Sequence, residues 1–173
     1  MTSITGFTRG NGSTNPAMSG GVASVSGTTD GVYPARWDTP CLSDYMYAQA
    51  ELNVNDTGQA AQVFVRCSES GFSQRVAFGA ATSGLYIFTY TTGNNNGTQR
   101  ANVAHTSNAG DLLRLEARGN VYYGYVNGTL ELTWTDSGNV VSIGQGFRGC
   151  GLIVVRGSFV NSASLREFEA GDL

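Results

Sequence analysis

The chemistry open to this chain rests on few residues. There is one histidine, His105, in Asn102-Val103-Ala104-His105-Thr106, and no serine sits in a G-x-S-x-G elbow, so a Ser–His nucleophile has no support. Glycoside hydrolysis needs two carboxylates, about 5–5.5 Å apart in the retaining geometry. The nearest pairs are Glu51 with Asp56, on either side of a predicted turn, and Glu167 with Glu169, which share a strand face without a third acid. Both pairs read as solvated edge charges. Cys41, Cys67 and Cys150 are widely separated and show no ligand spacing with His105. Asp56, Asp136 and Asn139 carry the oxygen donors that Ca²⁺ takes, but Asp and Asn in turns need no metal to explain them. The sequence therefore assigns no catalytic residue, no cofactor and no metal site. What remains is aromatic. Tyr86, Phe88 and Tyr90 fall on one face of a strand by period two and are the candidate glycan-binding residues, since flat rings pack on the apolar face of a sugar. Tyr122 with Trp134, or Tyr123 and Tyr125, are candidates to join them. The competing reading of such a stripe is core or cross-strand packing.

The elements that must position these residues are strands. Residues 45–54 alternate, with Met46, Ala48, Ala50, Leu52 and Val54 on one face and Gln49, Glu51 and Asn53 on the other. Residues 62–67 set Val63, Val65 and Cys67 against Gln62 and Arg66. Strands follow at 74–78 and 85–90, then a loop at 92–99 carrying Gly93-Asn94-Asn95-Asn96-Gly97, and another strand at 112–117. Asn127-Gly128 between 121–126 and 129–135 signals a hairpin with a type I′ turn, since both residues accept positive φ. Residues 149–155 form an apolar run bounded by glycines, and 164–170 alternate weakly. Residues 22–26 suggest a short edge strand. Roughly ten to thirteen strands joined by tight turns mean a sandwich or a barrel. No stretch has helical periodicity, and no fixed repeat suggests a propeller or β-helix.

Composition narrows the setting. Of 173 residues only 13% are charged, Gly numbers 24, and all 10 basic residues are Arg with no Lys. An Arg-only basic set points to a high-GC genome. With a net charge of −3 and scattered Arg there is no footprint for nucleic acid. No apolar run is long enough to span a membrane, and the N-terminal residues lack the pattern of a secretion signal. The odd number of cysteines argues against a disulfide framework and reads as three small buried hydrophobes. The sequence does not choose among their three pairings. Residues 1–15, rich in Gly, Ser, Thr and Asn, are expected to form a flexible arm, and 16–173 a single β-sandwich domain.

The run from Leu113 to Gly128, Leu-Arg-Leu-Glu-Ala-Arg-Gly-Asn-Val-Tyr-Tyr-Gly-Tyr-Val-Asn-Gly, resembles the signature of concanavalin-like, laminin-G-like jelly rolls. There an L-R-L-E-A-x-G strand leads into a hairpin reading v-x-V-N-G. Thr135-Asp136-Ser137 and the Gly144–Gly151 stretch are similar to that family's continuation. Phe7-Thr8-Arg9-Gly10-Asn11-Gly12-Ser13 resembles the F-x-R-x-x-G-S opening of such domains in tail and virion proteins of actinobacterial phages, though it lacks the acidic residue and Trp that usually flank it. The resemblance covers roughly the whole chain. It implies an all-β, concanavalin-like jelly-roll sandwich of two antiparallel sheets. Laminarinase-type enzymes share this sandwich, but their E-x-D-x-x-E pattern is missing here.

Two functions follow as expectations. One is a non-catalytic phage virion protein, a capsid decoration or minor tail protein, made in the host cytoplasm and displayed on the virion surface. Its partners would be other virion proteins in a homo-oligomer, with the N-terminal arm as the attachment strand and a host surface glycan as a target for adhesion. The other is a stand-alone carbohydrate-binding, lectin-like module. Neither is an enzyme, and neither engages nucleic acid or membrane.

Overall fold

Alternation decides which face of each strand is buried. In the computed structural model, which describes residues 6–10, 15–54, 59–91 and 97–173, Met46, Ala48, Ala50 and Leu52 are fully buried while Tyr47, Gln49 and Glu51 stay partly exposed. The Val54 side chain lies outside the described residues. In chain order the strands are β1 (Phe7–Arg9), β2 (Ala17–Ser19), β3 (Val22–Ser24), β4 (Gly31–Trp37), β5 (Tyr45–Val54), β6 (Ala61–Cys67), β7 (Arg75–Ala81) and β8 (Gly84–Tyr90). They continue with β9 (Gly97–Ala104), β10 (Leu112–Arg118), β11 (Val121–Val126), β12 (Thr129–Thr135), β13 (Gly149–Gly157), β14 (Val160–Asn161) and β15 (Ser164–Asp172).

Two antiparallel sheets result. Sheet I has the order β1-β4-β13-β6-β7-β8-β9, with β14 attached to β13; sheet II has the order β12-β11-β10-β5-β15-β3-β2. Val63, Val65, Val76, Phe78, Leu85, Ile87 and Leu152 from sheet I meet Met46, Leu52, Leu113, Leu115 and Tyr122 from sheet II in one core. The layers approach closely at Gly124 of β11, where a Cβ would lie 2.6 Å from the Phe78 ring. The β11–β12 turn has Asn127 at φ 51° and Gly128 at φ 80°, as a type I′ turn requires.

Three expectations change. Phe7–Arg9, assigned to a flexible arm, pair as β1 with the edge of β4, and the Phe7 ring packs 5.1 Å from Trp37 and 5.0 Å from Phe168. An apolar ring that can fill the rim between the sheets does not stay in solvent. Residues 1–5 and 11–14 lie outside the described residues. The loop assigned to 92–99 ends sooner, because Gly97 to Gln99 begin β9 against β8; residues 92–96 lie outside the described residues. Finally, simple alternation groups Cys67 with Val63 and Val65. Arg66 takes φ 60°, which breaks the alternation, and Cys67 packs instead with Phe64 and Ala77 on the far side of sheet I.

Candidate functional site

The outer face of sheet I is unusually apolar for a surface that a sandwich turns away from its core. β8 pairs with β7 in continuous register and with β9 across a register shift between Ile87 and Phe88; its outward residues are Tyr86, Phe88 and Tyr90, while Leu85 and Ile87 point into the core. The rings run along the strand, Tyr86 to Phe88 at 5.8 Å and 28°, and Phe88 to Tyr90 at 6.4 Å. Small residues on β7 make room beside them: register sets Gly79 next to Tyr86 and Ala77 next to Phe88. Beyond β7 come Gln62 and Phe64 of β6, and then Ile153 and Val155 of β13. Phe64, Cys67, Ala77, Tyr90 and Ile153 form a second apolar cluster, rimmed by Val32, Phe72, Phe88 and Val155.

Between the β8 stripe and Val155 and Val32 runs a trough of about 250 Å³, lined also by Gln59, Ala60, Gln62 and Ala81. Its polar groups are carboxamides. Gln59 Nε2 donates to the Gly157 carbonyl at 3.1 Å. Gln62 Oε1 accepts from the Tyr90 hydroxyl at 3.0 Å, and its NH₂ donates to no described residue. On the open side, β9 places Asn102 beside Tyr86 and Gln99 beside Phe88, both exposed. No Asp or Glu lines the trough among the described residues.

The three predicted aromatics are thus together but not equivalent. Tyr86 and Phe88 are half-buried and offer ring surface. Tyr90 is only 3% exposed, covered by the Arg75 guanidinium 4.1 Å from its ring centroid, so it offers no platform. Burial raises the Tyr90 pKa and lowers that of Arg75. What Tyr90 does is fix the Gln62 amide. Tyr122, Trp134, Tyr123 and Tyr125 do not join the stripe, since they belong to sheet II; Tyr122 is fully buried and stacks 5.2 Å from Trp134. Sequence reasoning missed Gln59, Gln62, Val32 and Val155. Only the alternation of β6, with Gln62 opposite Val63, carried a signal for any of them.

The other chemical candidates are occupied elsewhere. Both Asp136 carboxylate oxygens accept backbone N–H groups, from Val140 and Val141 at 2.9 Å each. Glu51 pairs with Arg166, and Glu169 accepts from Tyr47 and Gln49 on the outside of sheet II. Asp56 lies outside the described residues. His105 follows β9, its backbone N–H bonded to Ser83, and no hydrogen bond among the described residues joins its ring to a nucleophile or an acid.

The architecture is an all-β, concanavalin-like jelly roll of two antiparallel sheets. Among solved structures, carbohydrate-binding module CBM66 from Bacillus subtilis superposes with TM-score 0.62 at 18% identity, over 87% of this chain and 94% of that one. A Bacillus licheniformis beta-glucanase gives 0.57 at 11% identity, over 96% and 92%. The CBM2 module of the evolved Dit of Lactobacillus casei BL23 phage J-1 gives 0.55 at 12%, over 98% and 90%. At these identities the likeness is one of fold, shared by binding modules and hydrolases alike. No protein-family model and no curated protein matches the sequence.

Proposed function

We propose that this chain is a non-catalytic carbohydrate-binding domain whose site is the trough on the outer face of sheet I. The observation that carries the reading is the trough's composition. Exposed ring surface from Tyr86 and Phe88 lies beside the exposed carboxamides of Gln99 and Asn102 and the largely buried one of Gln62, with no carboxylate lining it among the described residues. Sugar C–H groups pack on the rings, and amides exchange hydrogen bonds with hydroxyls. The uncharged lining suits a neutral glycan. Its volume of about 250 Å³ falls below the usual range for drug-sized ligands, so it suits one ring of a chain that continues over the open β9 edge. Acid–base cleavage of a glycosidic bond would need a carboxyl pair at such a site. CBM66 from Bacillus subtilis, a binding module by name, has the same fold and agrees with this reading.

The test is a labelled-protein glycan array followed by calorimetry on the best ligand. Tyr86→Ala and Phe88→Ala should each weaken binding at least tenfold, about 1.4 kcal/mol, with no release of reducing ends by the parent. Equal affinity in the parent and both variants, or no retained glycan, would refute the assignment.

Display on a phage particle is a second reading, favoured by the opening motif and by the phage J-1 Dit module of the same fold. There the trough would adhere to a host glycan. Antibody labelling of purified particles tests it, and unlabelled particles would count against it.

A further inference from the structure

We infer that Cys41 and Cys150 are a latent disulfide, formed when the chain meets a small-molecule or protein disulfide as oxidant. Their sulfurs are 3.3 Å apart across 109 residues of sequence, both buried. The approach is built by backbone and charge rather than by chance contact of two side chains. The Cys41 N–H donates to the Arg148 carbonyl at 3.0 Å, which ties the loop before β5 to the chain entering β13. The Asp172 carboxylate accepts from the next two N–H groups, Leu42 at 3.1 Å and Ser43 at 2.7 Å. Arg148 reaches back to the Leu42 carbonyl and to Asp44. Cys150 points inward, 3.9 Å from the Met46 sulfur. The third cysteine cannot compete, since Cys67 packs on the opposite face of sheet I.

The two sulfurs are chemically unequal. The hydrogen bond from Cys150 holds the Cys41 thiol below its ordinary pKa, whereas that bond and burial push Cys150 up. Cys41 adjoins Leu42, which is 82% exposed, so a local opening of this loop brings Cys41 to solvent first. The Cys41 thiolate attacks one sulfur of the oxidant, forming a mixed disulfide and expelling one thiolate. Cys150 then loses its proton to solvent and attacks the Cys41 sulfur, expelling the second. Two protein thiols are oxidised and one disulfide is reduced to two thiols.

The experiment treats the full chain with oxidised glutathione, then denatures and alkylates it. One cysteine should alkylate after oxidation and all three after reduction, with peptide mapping joining Cys41 to Cys150. Closing so long a loop should raise the melting temperature by about 5–15 °C. Cys67→Ser should keep the rise, while Cys41→Ser and Cys150→Ser should each abolish it. Three alkylated cysteines after oxidation, a bridge to Cys67, or glutathione that persists on Cys41 would overturn the inference.

Discussion

Arg66 places a guanidinium inside the sandwich, and its counter-ion should be among the most costly polar groups to neutralise. The Arg66 side chain is fully buried; Nη1 meets Asp44 Oδ1 at 3.0 Å, and Nη2 donates to the Asp44 and Gly119 carbonyls at 2.6 and 2.9 Å. This one side chain on sheet I thus ties down both the entry to β5 and the β10–β11 turn of sheet II. Asp44→Asn keeps the shape and removes the charge. Breaking a buried pair costs about 3–5 kcal/mol. The 29% exposure of Asp44 and the two carbonyls that still accept from Nη2 bring the expectation down to about 2–3 kcal/mol. For a domain of this size that is a fall in melting temperature of about 4–12 °C. The hydrogen bond from Arg148, with the Arg66 and Arg148 charges, holds the Asp44 carboxyl below its ordinary 3.8. Its contribution is therefore complete above pH 3.8 and is lost as pH falls through the lower folded value. Urea unfolding at pH 7 and again under acid reads both effects, and the gap between parent and variant should narrow in acid. A variant within about 0.5 kcal/mol of the parent at pH 7 would show that Arg66 needs no counter-ion, contrary to the penalty for an unpaired buried charge.

Two further substitutions probe the frame. Gly124→Ala should cost about 1–3 kcal/mol through overpacking against Phe78, and Phe78→Leu in the same chain should recover part of it; additive losses in a double-mutant cycle would refute the contact. A Cβ at Gly128 meets no atom within 4 Å, so the cost of Gly128→Val is chiefly backbone strain, about 1–3 kcal/mol at positive φ. An unchanged thermal melt would contradict the turn geometry.

Strands with one wet face announced themselves, as in β5, β10 and β11, because alternation there is imposed by water on one side and core on the other. The β4 strand did not. Pro34 sits in its middle, which sequence logic reserves for edges. The structure satisfies that logic locally, because β1 pairs with residues 35–37 and no described residue pairs with β4 at Pro34 on that side. The β9 strand hides for the opposite reason: as the exposed last strand of sheet I it has little apolar alternation to display. At the candidate site the aromatic stripe was legible from period two. The burial of Tyr90 was not, since Arg75 covers it from the neighbouring strand. Gln62 and the Cys41–Cys150 contact depend on pairings far apart in sequence, which no local pattern encodes.

The two outer faces differ in a way that supports the proposed placement of the site on sheet I. Sheet II carries more charge there, but that charge is internally engaged. Arg114 bonds Glu116 and Gln49 at 2.8 Å each and lies 3.8 Å over Tyr47; Arg118 bonds Glu116 at 2.9 Å. These pairs hold the Glu116 carboxyl below its ordinary pKa even though burial works the other way. A sugar docking on sheet II would have to break charge-assisted bonds and replace them with weaker neutral ones. On sheet I, Tyr86 and Phe88 expose ring surface that water hydrates poorly, and the Gln62 NH₂ donates to no described residue. Covering those rings releases that water, and an incoming hydroxyl competes there with neutral amide bonds such as Gln99 Nε2 to Asn102 Oδ1 at 3.3 Å rather than with charge-assisted ones.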